Sequence, residues 1–411
     1  MNCRHCGTKL SHVFIDLGQQ PPSNSFLSPE ELDRPEAVFP LKVFTCPECF
    51  LVQVDELKKS SEIFNNDYVY FSSYSSSWLE HARRYTDMAA ERFGLGNDSL
   101  VVEIASNDGY LLQYMVEKSI PCFGVEPSVA TAEAAKEKGV ESVCDFFGQA
   151  LAETLAAERG KVDLLIGNNV LAHVPDINDF VAGIKHILKD DGVATLEFPH
   201  LMRLIGGCQF DTIYHEHFSY LSLGTVQRIF EKQGLRVFDV EEIPTHGGSL
   251  RVYACHQEDG THETLPAVDS LLEVEKAEGM TSLSYYETLQ GEADRVKQEL
   301  LDFLHTQRDA GKTVAAYGAA AKGNTLLNYC GIGPELLDFC IDASPHKQGL
   351  FMPGSHIPVF APEVLRERRP DYVLILPWNI KTEIHAQHDY IKEWGGRFVT
   401  AMPTLSVQEK A

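Results

Sequence analysis

The stretch Ser99–Tyr110, SLVVEIASNDGY, constrains this chain more than any other. Val101-Val102-Glu103-Ile104 is an apolar run with one acid, the pattern of a short buried strand. Ala105-Ser106-Asn107-Asp108-Gly109 is a turn of small and polar residues, and Tyr110-Leu111-Leu112 opens an apolar-periodic helix. A strand, a tight turn and a helix N-terminus build a nucleotide or cofactor site in an open α/β sheet. The turn lacks the two early glycines of G-x-G-x-x-G, so a dinucleotide fingerprint fits it poorly. One strand later, Cys122-Phe123-Gly124-Val125-Glu126-Pro127 is a second apolar run ending in an acid, which can accept hydrogen bonds from ribose hydroxyls. Strand-turn-helix followed by strand-acid predicts the front half of an S-adenosylmethionine (SAM) site. The alternative at this point is a Rossmann-type strand pair that binds nothing.

With 411 residues the chain has room for two or three domains. Its 59 acids and 35 bases leave a net charge of −24, which argues against nucleic acid or an anionic membrane surface as the general partner. An anionic substrate stays open, because it needs only local donors. No apolar run has the length of a membrane span. Met1-Asn2-Cys3 leads directly into a cysteine motif, with no signal-peptide pattern. Of the ten cysteines, four pair as C-x-x-C and the rest are scattered, so a reducing cytoplasm is the expected location.

Residues 1–62 read as a zinc-binding domain. Cys3-x-x-Cys6 and Cys46-x-x-Cys49 lie in turn-prone contexts and supply four thiolates, a complete tetrahedral set. A closed set predicts a structural rather than a catalytic ion, with His5 and His12 as bystanders. The alternative is two unrelated redox or free pairs. Residues 63–264 form the expected second domain. It opens with Tyr68-Val69-Tyr70-Phe71-Ser72-Ser73-Tyr74-Ser75, either a ligand-facing segment or a packed aromatic linker. Strands near 100–105, 122–127, 141–146, 162–168 and 192–198 alternate with helical patterns, which predicts a parallel doubly wound sheet. Residues 235–240 and 249–254, joined through His246-Gly247-Gly248, read as a terminal antiparallel pair. Together these give the seven-stranded sheet of class I methyltransferases. Residues 265–411 form the third unit: acidic connecting helices to about 308, then a second α/β pattern over 312–403. There Thr313–Tyr317 is a strand, Gly318-Ala319-Ala320-Ala321-Lys322-Gly323-Asn324-Thr325 a small-residue turn into a helix, and Phe339-Cys340-Ile341-Asp342 a strand ending in an acid. A helix N-terminus with exposed N–H groups suits a phosphate, and Lys322 adds charge.

Two clusters carry the chemistry. Asn168, Asn169 and His173 follow the fourth strand, at the carboxyl edge where ligands bind. His173 there is either functional or structural. Tyr214-His215-Glu216-His217 follows the fifth strand and reads as an acid/base cluster. The alternative is a polar interface loop. Its spacing does not match H-E-x-x-H, so a second metal is not expected.

Taken together, these residues resemble the sugar C-methyltransferases of deoxysugar and antibiotic pathways, which act on nucleotide-linked 4-keto sugars. The resemblance spans essentially the whole chain. It rests on the C-x-x-C pairs, Gln20-Pro21-Pro22-Ser23-Asn24, the Tyr68–Ser75 segment, Glu103–Gly109, Tyr214–His217 and Gly318–Asn324. It implies an α/β chain with a small zinc-binding domain, a class I Rossmann-like methyltransferase domain and a C-terminal Rossmann-like domain, the active site lying between the latter two. It implies roles around the sugar for Tyr68 or Tyr70, His173, Tyr214, Glu216 and His217, with His217 as base. The expected SAM contacts are Glu103, Ala105, Asn107, Gly109, Glu126, Pro127, Asp145, Phe146, Asn168 and Asn169. The expected substrate contacts are Tyr74, Tyr317, Lys322, Gly323, Asn324 and Lys347. The expected reaction is methyl transfer to C3′ of a 4-keto-deoxysugar through base-catalysed enolate formation. dTDP is the first expectation for the nucleotide and GDP the second. The alternatives are C5′ methylation, a zinc-containing NAD-dependent sugar-nucleotide oxidoreductase, and a non-catalytic SAM or sugar-nucleotide sensor.

Overall fold

A computed structural model of the chain describes residues 1–56 and 71–408, so Tyr68 and Tyr70 lie outside the described residues. Strands are numbered along the chain. The central sheet is built on β4 (Val101–Ile104), flanked on one side by β5 (Cys122–Val125) and β6 (Ser142–Val143), on the other by β7 (Val162–Asn168) and β8 (Leu188–Pro199). β10 (Leu235–Ile243) and β11 (Ser249–His256) complete it. The spatial order is β6-β5-β4-β7-β8-β11-β10; the first five run parallel and β11 is antiparallel to both its neighbours. This is the class I methyltransferase sheet. All four residues of β4 are buried, as expected for a parallel strand covered on both faces. The order reverses beside β4, so the loops after β4 and β7 share one carboxyl edge.

The C-terminal sheet repeats this logic. β12 (Val314–Tyr317) lies between β13 (Cys340–Ile341) and β15 (Tyr372–Ile375), with β14 (Val359–Phe360) and β16 (Arg397–Thr400) outside them, all parallel. β17 (Ser406–Val407) closes the edge antiparallel. The loops after β12 and β15 therefore also share an edge. The expected connecting helices are Pro266–Glu278 and Leu289–Asp309. The second buries Leu289, Ala293, Val296, Leu300 and Leu304, a helical stripe packed into the same apolar core as the N-terminal and C-terminal sheets. Glu275, on the first, is buried. It accepts from the Leu223 and Gly224 amides at 2.7 and 2.9 Å, capping the helix Leu223–Lys232.

The N-terminal sheet joins β1 (His12–Gln20), β2 (Phe39–Thr45) and β3 (Val52–Val54) to β9 (Ser219–Tyr220), which comes from the far side of the polar cluster. Residues 210–220 show no strand period in sequence, because two residues are too few to carry one. The cysteines sit in two knuckles. Gly7 donates to the Cys3 carbonyl at 2.9 Å and Phe50 to the Cys46 carbonyl at 3.1 Å, both with positive φ, so each turn folds its thiol pair toward one point. The four sulfurs lie within 4.8 Å of one another, with Cys3–Cys49 at 3.5 Å and Cys6–Cys46 at 3.4 Å. Four Zn–S bonds of about 2.3 Å require sulfur separations of roughly 3.8 Å, so the set fits zinc. Metal analysis should find one zinc per chain. Cys46→Ser should lose the metal and lower the melting temperature; a metal-free variant with unchanged melting would show that the knuckles do not depend on the ion.

Candidate active site

The cofactor edge begins at the end of β4. Ala105 and Asn107 are held in the left-handed region at φ 56° and 49°, where non-glycine residues need support. Glu126, at the end of β5, supplies it: its carboxylate accepts from the Asn107 and Ser128 amides, each at 2.9 Å. Gly109 has φ 73°, and a Cβ there would meet the helix backbone at Ala135 at 3.2 Å. Glu103, Asp108 and Glu126 are all buried around this turn. Burial raises the Glu103 pKa well above its ordinary value, a hydrogen bond from the Tyr110 phenol only partly offsets this, and Glu126 and Asp108 add to the rise. Asp108 is paired with Lys138 at 3.1 Å and Glu126 with two amides, so Glu103 is the acid of this turn whose charged form a cationic ligand would favour, and SAM brings a sulfonium and an ammonium group.

The other expected cofactor residues frame this turn. Asn168 donates to the Tyr110 hydroxyl at 3.4 Å, and Asn169, at φ 55°, keeps its amide oxygen buried with no hydrogen-bond partner among the described residues. Pro127 is half-buried beside Glu126. Asp145 and Phe146 lie on an open groove with Phe147, Leu151 and Asp179; Phe146 is exposed. The Ser72 amide donates to Asn107 Oδ1 at 2.9 Å and the Ser73 amide to Asp108 Oδ2 at 3.3 Å, so this segment is laid onto the cofactor turn. Tyr74 is 66 % exposed and meets Phe71 and, from the C-terminal unit, His346 at ring separations of 5.8 and 6.4 Å.

The polar cluster sits between the two sheet edges. His217 Nδ1 lies 2.9 Å from the Thr212 carbonyl, so Nδ1 carries the proton and Nε2 the lone pair. The ring lies 4.0 Å from that of Tyr214 and 4.6 Å from that of His173. His173 donates from Nδ1 to the Glu216 carbonyl at 2.9 Å. The Glu216 carboxylate accepts from Asn24 Nδ2, 2.9 Å from each oxygen. His215 turns away, against Phe39 and the Pro40 carbonyl. Burial, reinforced by His173 and Lys322, pushes His217 well below the ordinary histidine pKa. Burial lowers His173 to about 4 and, with Lys322, His246 to about 4. The three imidazoles are neutral at working pH.

The C-terminal edge faces this cluster. Lys322 donates to Asn379 Oδ1 at 2.7 Å and lies 4.9 Å over the Trp378 ring. The Trp378 indole donates to Asp211 at 2.7 Å. Burial raises Asp211 to about 6, with Lys322 opposing the rise. His246 stands beside Asn169, whose amide donates to its Nε2 at 3.1 Å. Its loop is anchored where the Thr245 hydroxyl donates to buried Glu197 at 3.0 Å. Gly247 is required: a Cβ there would lie 2.5 Å from the Trp378 ring. Other expected substrate residues are engaged within the protein. Asn324 is buried and donates to the Ser23 carbonyl at 2.6 Å, Tyr317 meets His388 at 3.1 Å, and Lys347 donates to the Ala319 carbonyl at 2.8 Å. Gly323 packs on Leu376, which a Cβ would approach to 2.7 Å. Asn24, Asp211, His246, Trp378 and Asn379 carry no site role in the sequence reading, although Asn24 lies in the Gln20–Asn24 stretch and His246 in the loop of the antiparallel pair. Trp378-Asn379 could have been found as the loop after a parallel strand, by the carboxyl-edge rule that identified His173.

A class I sheet with an acid-rich turn at its switch point, and a closed four-thiolate site on a separate lobe, define a SAM-dependent methyltransferase with a zinc-binding domain. The methyltransferase-domain model matches residues 78–240, a zinc-binding-domain model residues 3–64, and the C-methyltransferase C-terminal domain residues 244–403. The chain is 36% identical over 401 residues to the C-methyltransferase NovU of Streptomyces niveus, covering 98% of this chain and 95% of that protein. It belongs to the C-methyltransferase family. A shorter match, 29% identical over 94 residues, joins 23% of the chain to 38% of the ubiquinone biosynthesis O-methyltransferase of Bartonella quintana. Among solved structures, a SAM-dependent methyltransferase from Clostridium acetobutylicum aligns with a TM-score of 0.35 at 10% identity, covering 43% of this chain and 92% of its own. The oxidoreductase expectation gives way to the family assignment. Among the described residues no helix is long and apolar enough to cross a membrane.

If Glu126 is the ribose acceptor that the sequence leads one to expect, Glu126→Gln should weaken SAM binding about tenfold or more, on the order of 1.5–3 kcal/mol, by removing its charge and loosening the turn it braces. Calorimetry checks this; unchanged SAM affinity would separate Glu126 from the cofactor.

Proposed function

We propose that the chain methylates C3′ of a nucleotide-linked 4-keto-deoxysugar, with His217 abstracting the C3′ proton. The observation that carries this reading is the His217 imidazole itself. It is fixed in one tautomer by the Thr212 carbonyl and kept neutral by burial, which leaves Nε2 as a basic lone pair in the cleft. A ketone at C4′ acidifies the neighbouring C–H by turning its conjugate base into an enolate. Bound SAM supplies an electrophilic methyl group on a sulfonium. The protein then has to align the carbanion and stabilise the enolate oxygen. The Tyr214 phenol, its ring tilted against His217, donates to the ketone oxygen, and the Glu216 carboxylate accepts from a sugar hydroxyl. His173 holds the loop through the Glu216 carbonyl, and Tyr68 or Tyr70 completes the sugar wall. Lys322 adds positive charge to a cleft in which the histidines carry none.

The nucleotide belongs to the C-terminal edge in this reading, with dTDP before GDP. Supporting it, Asp342 accepts from the Ala319 and Ser344 amides, both at 2.8 Å. Glu126 does the same with Asn107 and Ser128 at the cofactor edge, so each α/β unit carries a braced acid where a ribose would sit. The division of labour is zinc binding in residues 1–62, methyl donation in 63–264 and nucleotide binding in 265–411.

Mass spectrometry of dTDP- and GDP-linked 4-keto sugars incubated with SAM should show the gain of one methylene, and NMR should place it at C3′. A product methylated at C5′ would move the carbon, and no product from any keto sugar would remove the substrate class. His217→Asn should slow solvent exchange of the C3′ proton by about 10²- to 10⁴-fold; wild-type exchange would exclude it as base.

The base works unprotonated, and its pKa is lowered, so activity should persist as pH falls through about 6.5, with the acid limb below that value. Lys322 contributes to the lowering. Lys322→Met should therefore move the limb upward and raise the Michaelis constant for the sugar nucleotide, leaving that for SAM nearly unchanged. An unmoved limb would take Lys322 out of the base's environment.

A further inference from the structure

We infer that Asn24, carried on the zinc-bearing N-terminal unit, is a positioning residue of the active site: it fixes the Glu216 carboxylate as an ionised acceptor facing the substrate. The inference rests on the proposed working role of Glu216. Asn24 and Glu216 are 192 residues apart in sequence, yet one amide nitrogen stands 2.9 Å from both carboxylate oxygens. A protonated carboxyl group would turn an O–H donor toward one side of this contact, whereas an ionised one offers acceptors on both. A hydrogen bond shared by both oxygens favours the acceptor form and holds the side chain in this orientation.

The segment that delivers Asn24 is strapped onto the C-terminal unit at several points. The neighbouring Ser23 carbonyl takes the hydrogen bond from fully buried Asn324 at 2.6 Å. Leu27 and Phe351 exchange two backbone hydrogen bonds, at 3.0 and 2.8 Å. The Glu36 carboxylate accepts from the Gly354 amide at 2.9 Å and faces His356 at 3.2 Å. One residue beyond Asn324, the Thr325 hydroxyl donates to the Ile213 carbonyl at 2.9 Å, at the start of the polar cluster. The helix Ala321–Cys330 thus holds the Asn24 segment and the catalytic loop in one register, and Asn24 bridges the two. The N-terminal unit supplies a group to the site as well as covering it.

The test is a cycle of Asn24→Ala, Glu216→Ala and the double variant, read by steady-state kinetics and by deuterium exchange of the peptide covering residues 212–218. Asn24→Ala should lower kcat about tenfold or more with unchanged zinc content and unchanged Michaelis constant for SAM. It should cost nothing further in the Glu216→Ala background, because the group it acts through is gone. Asn24→Asp, equal in size but anionic, should be worse than Asn24→Ala. Exchange across 212–218 should rise equally in both single variants and no further in the double. Equal loss from Asn24→Ala in both backgrounds, or wild-type exchange in that variant, would overturn the inference. If no keto sugar is methylated by the wild type, the proposed function fails while the exchange cycle still decides for or against Asn24.

Discussion

Burial of ionisable groups at two facing sheet edges is the constraint on which the rest of the site depends. At the first edge Glu126 is drawn into the protein by two backbone amides, which hold Asn107 in a conformation that a non-glycine residue seldom adopts. Glu103 is buried alongside, where the Tyr110 phenol only partly offsets the cost of its charge. A buried acid is costly unless it is protonated or paired, so a positively charged ligand in this turn would favour the charged form.

The cluster between the edges reverses the balance. Three imidazoles are desolvated to neutrality, and Lys322, itself moderated by Asp211, lowers His217 and His246 further. A neutral imidazole whose Nδ1–H is committed to a backbone carbonyl can only accept at Nε2. Tautomer and protonation state are thus set by the fold before a substrate arrives. The same enclosure that keeps His217 unprotonated strengthens any interaction Lys322 makes with developing negative charge, because little water remains to screen it.

Much of this is legible in the sequence, and the rest is not for identifiable reasons. Strand-helix alternation gave the central sheet and its antiparallel terminal pair, since apolar runs and turn residues are local signals. The C-x-x-C pairs gave the metal knuckles for the same reason. Local pattern does not say which way a side chain faces. Asn324 and Lys347 were read from their place near a helix N-terminus and a strand end, and the fold commits both to carbonyl groups of the protein. Asn24 and Trp378 show the converse: Asn24 lies in the Gln20–Asn24 motif and Trp378 after a parallel strand, yet neither pattern says what the side chain meets, and each reaches the cluster because three sheets meet there. Ser219–Tyr220 became a strand because β3 offered an edge, which no two-residue pattern could announce.

That meeting gives the zinc lobe a reason to exist in a methyltransferase. Its own strands form a small sheet, and β1 alternates buried and exposed residues over only part of its length. The apolar side of that sheet packs into a core shared with the helix Leu289–Asp309 and the C-terminal sheet, so the lobe is not an independent globule. Zinc knuckles tie residues 3–6 to 46–49 and so fix both ends of the intervening segment. Residues 20–37 then run across the C-terminal unit with few of their backbone groups in a sheet, held instead by Asn324, Phe351 and Gly354. A segment of this kind loses much conformational entropy on ordering. Anchoring its ends reduces that cost, and what the ordering secures is the placement of Asn24 against Glu216. A metal held by the knuckles would act on the Glu216 cluster through chain geometry, at a distance, while four thiolates would leave it no open coordination position.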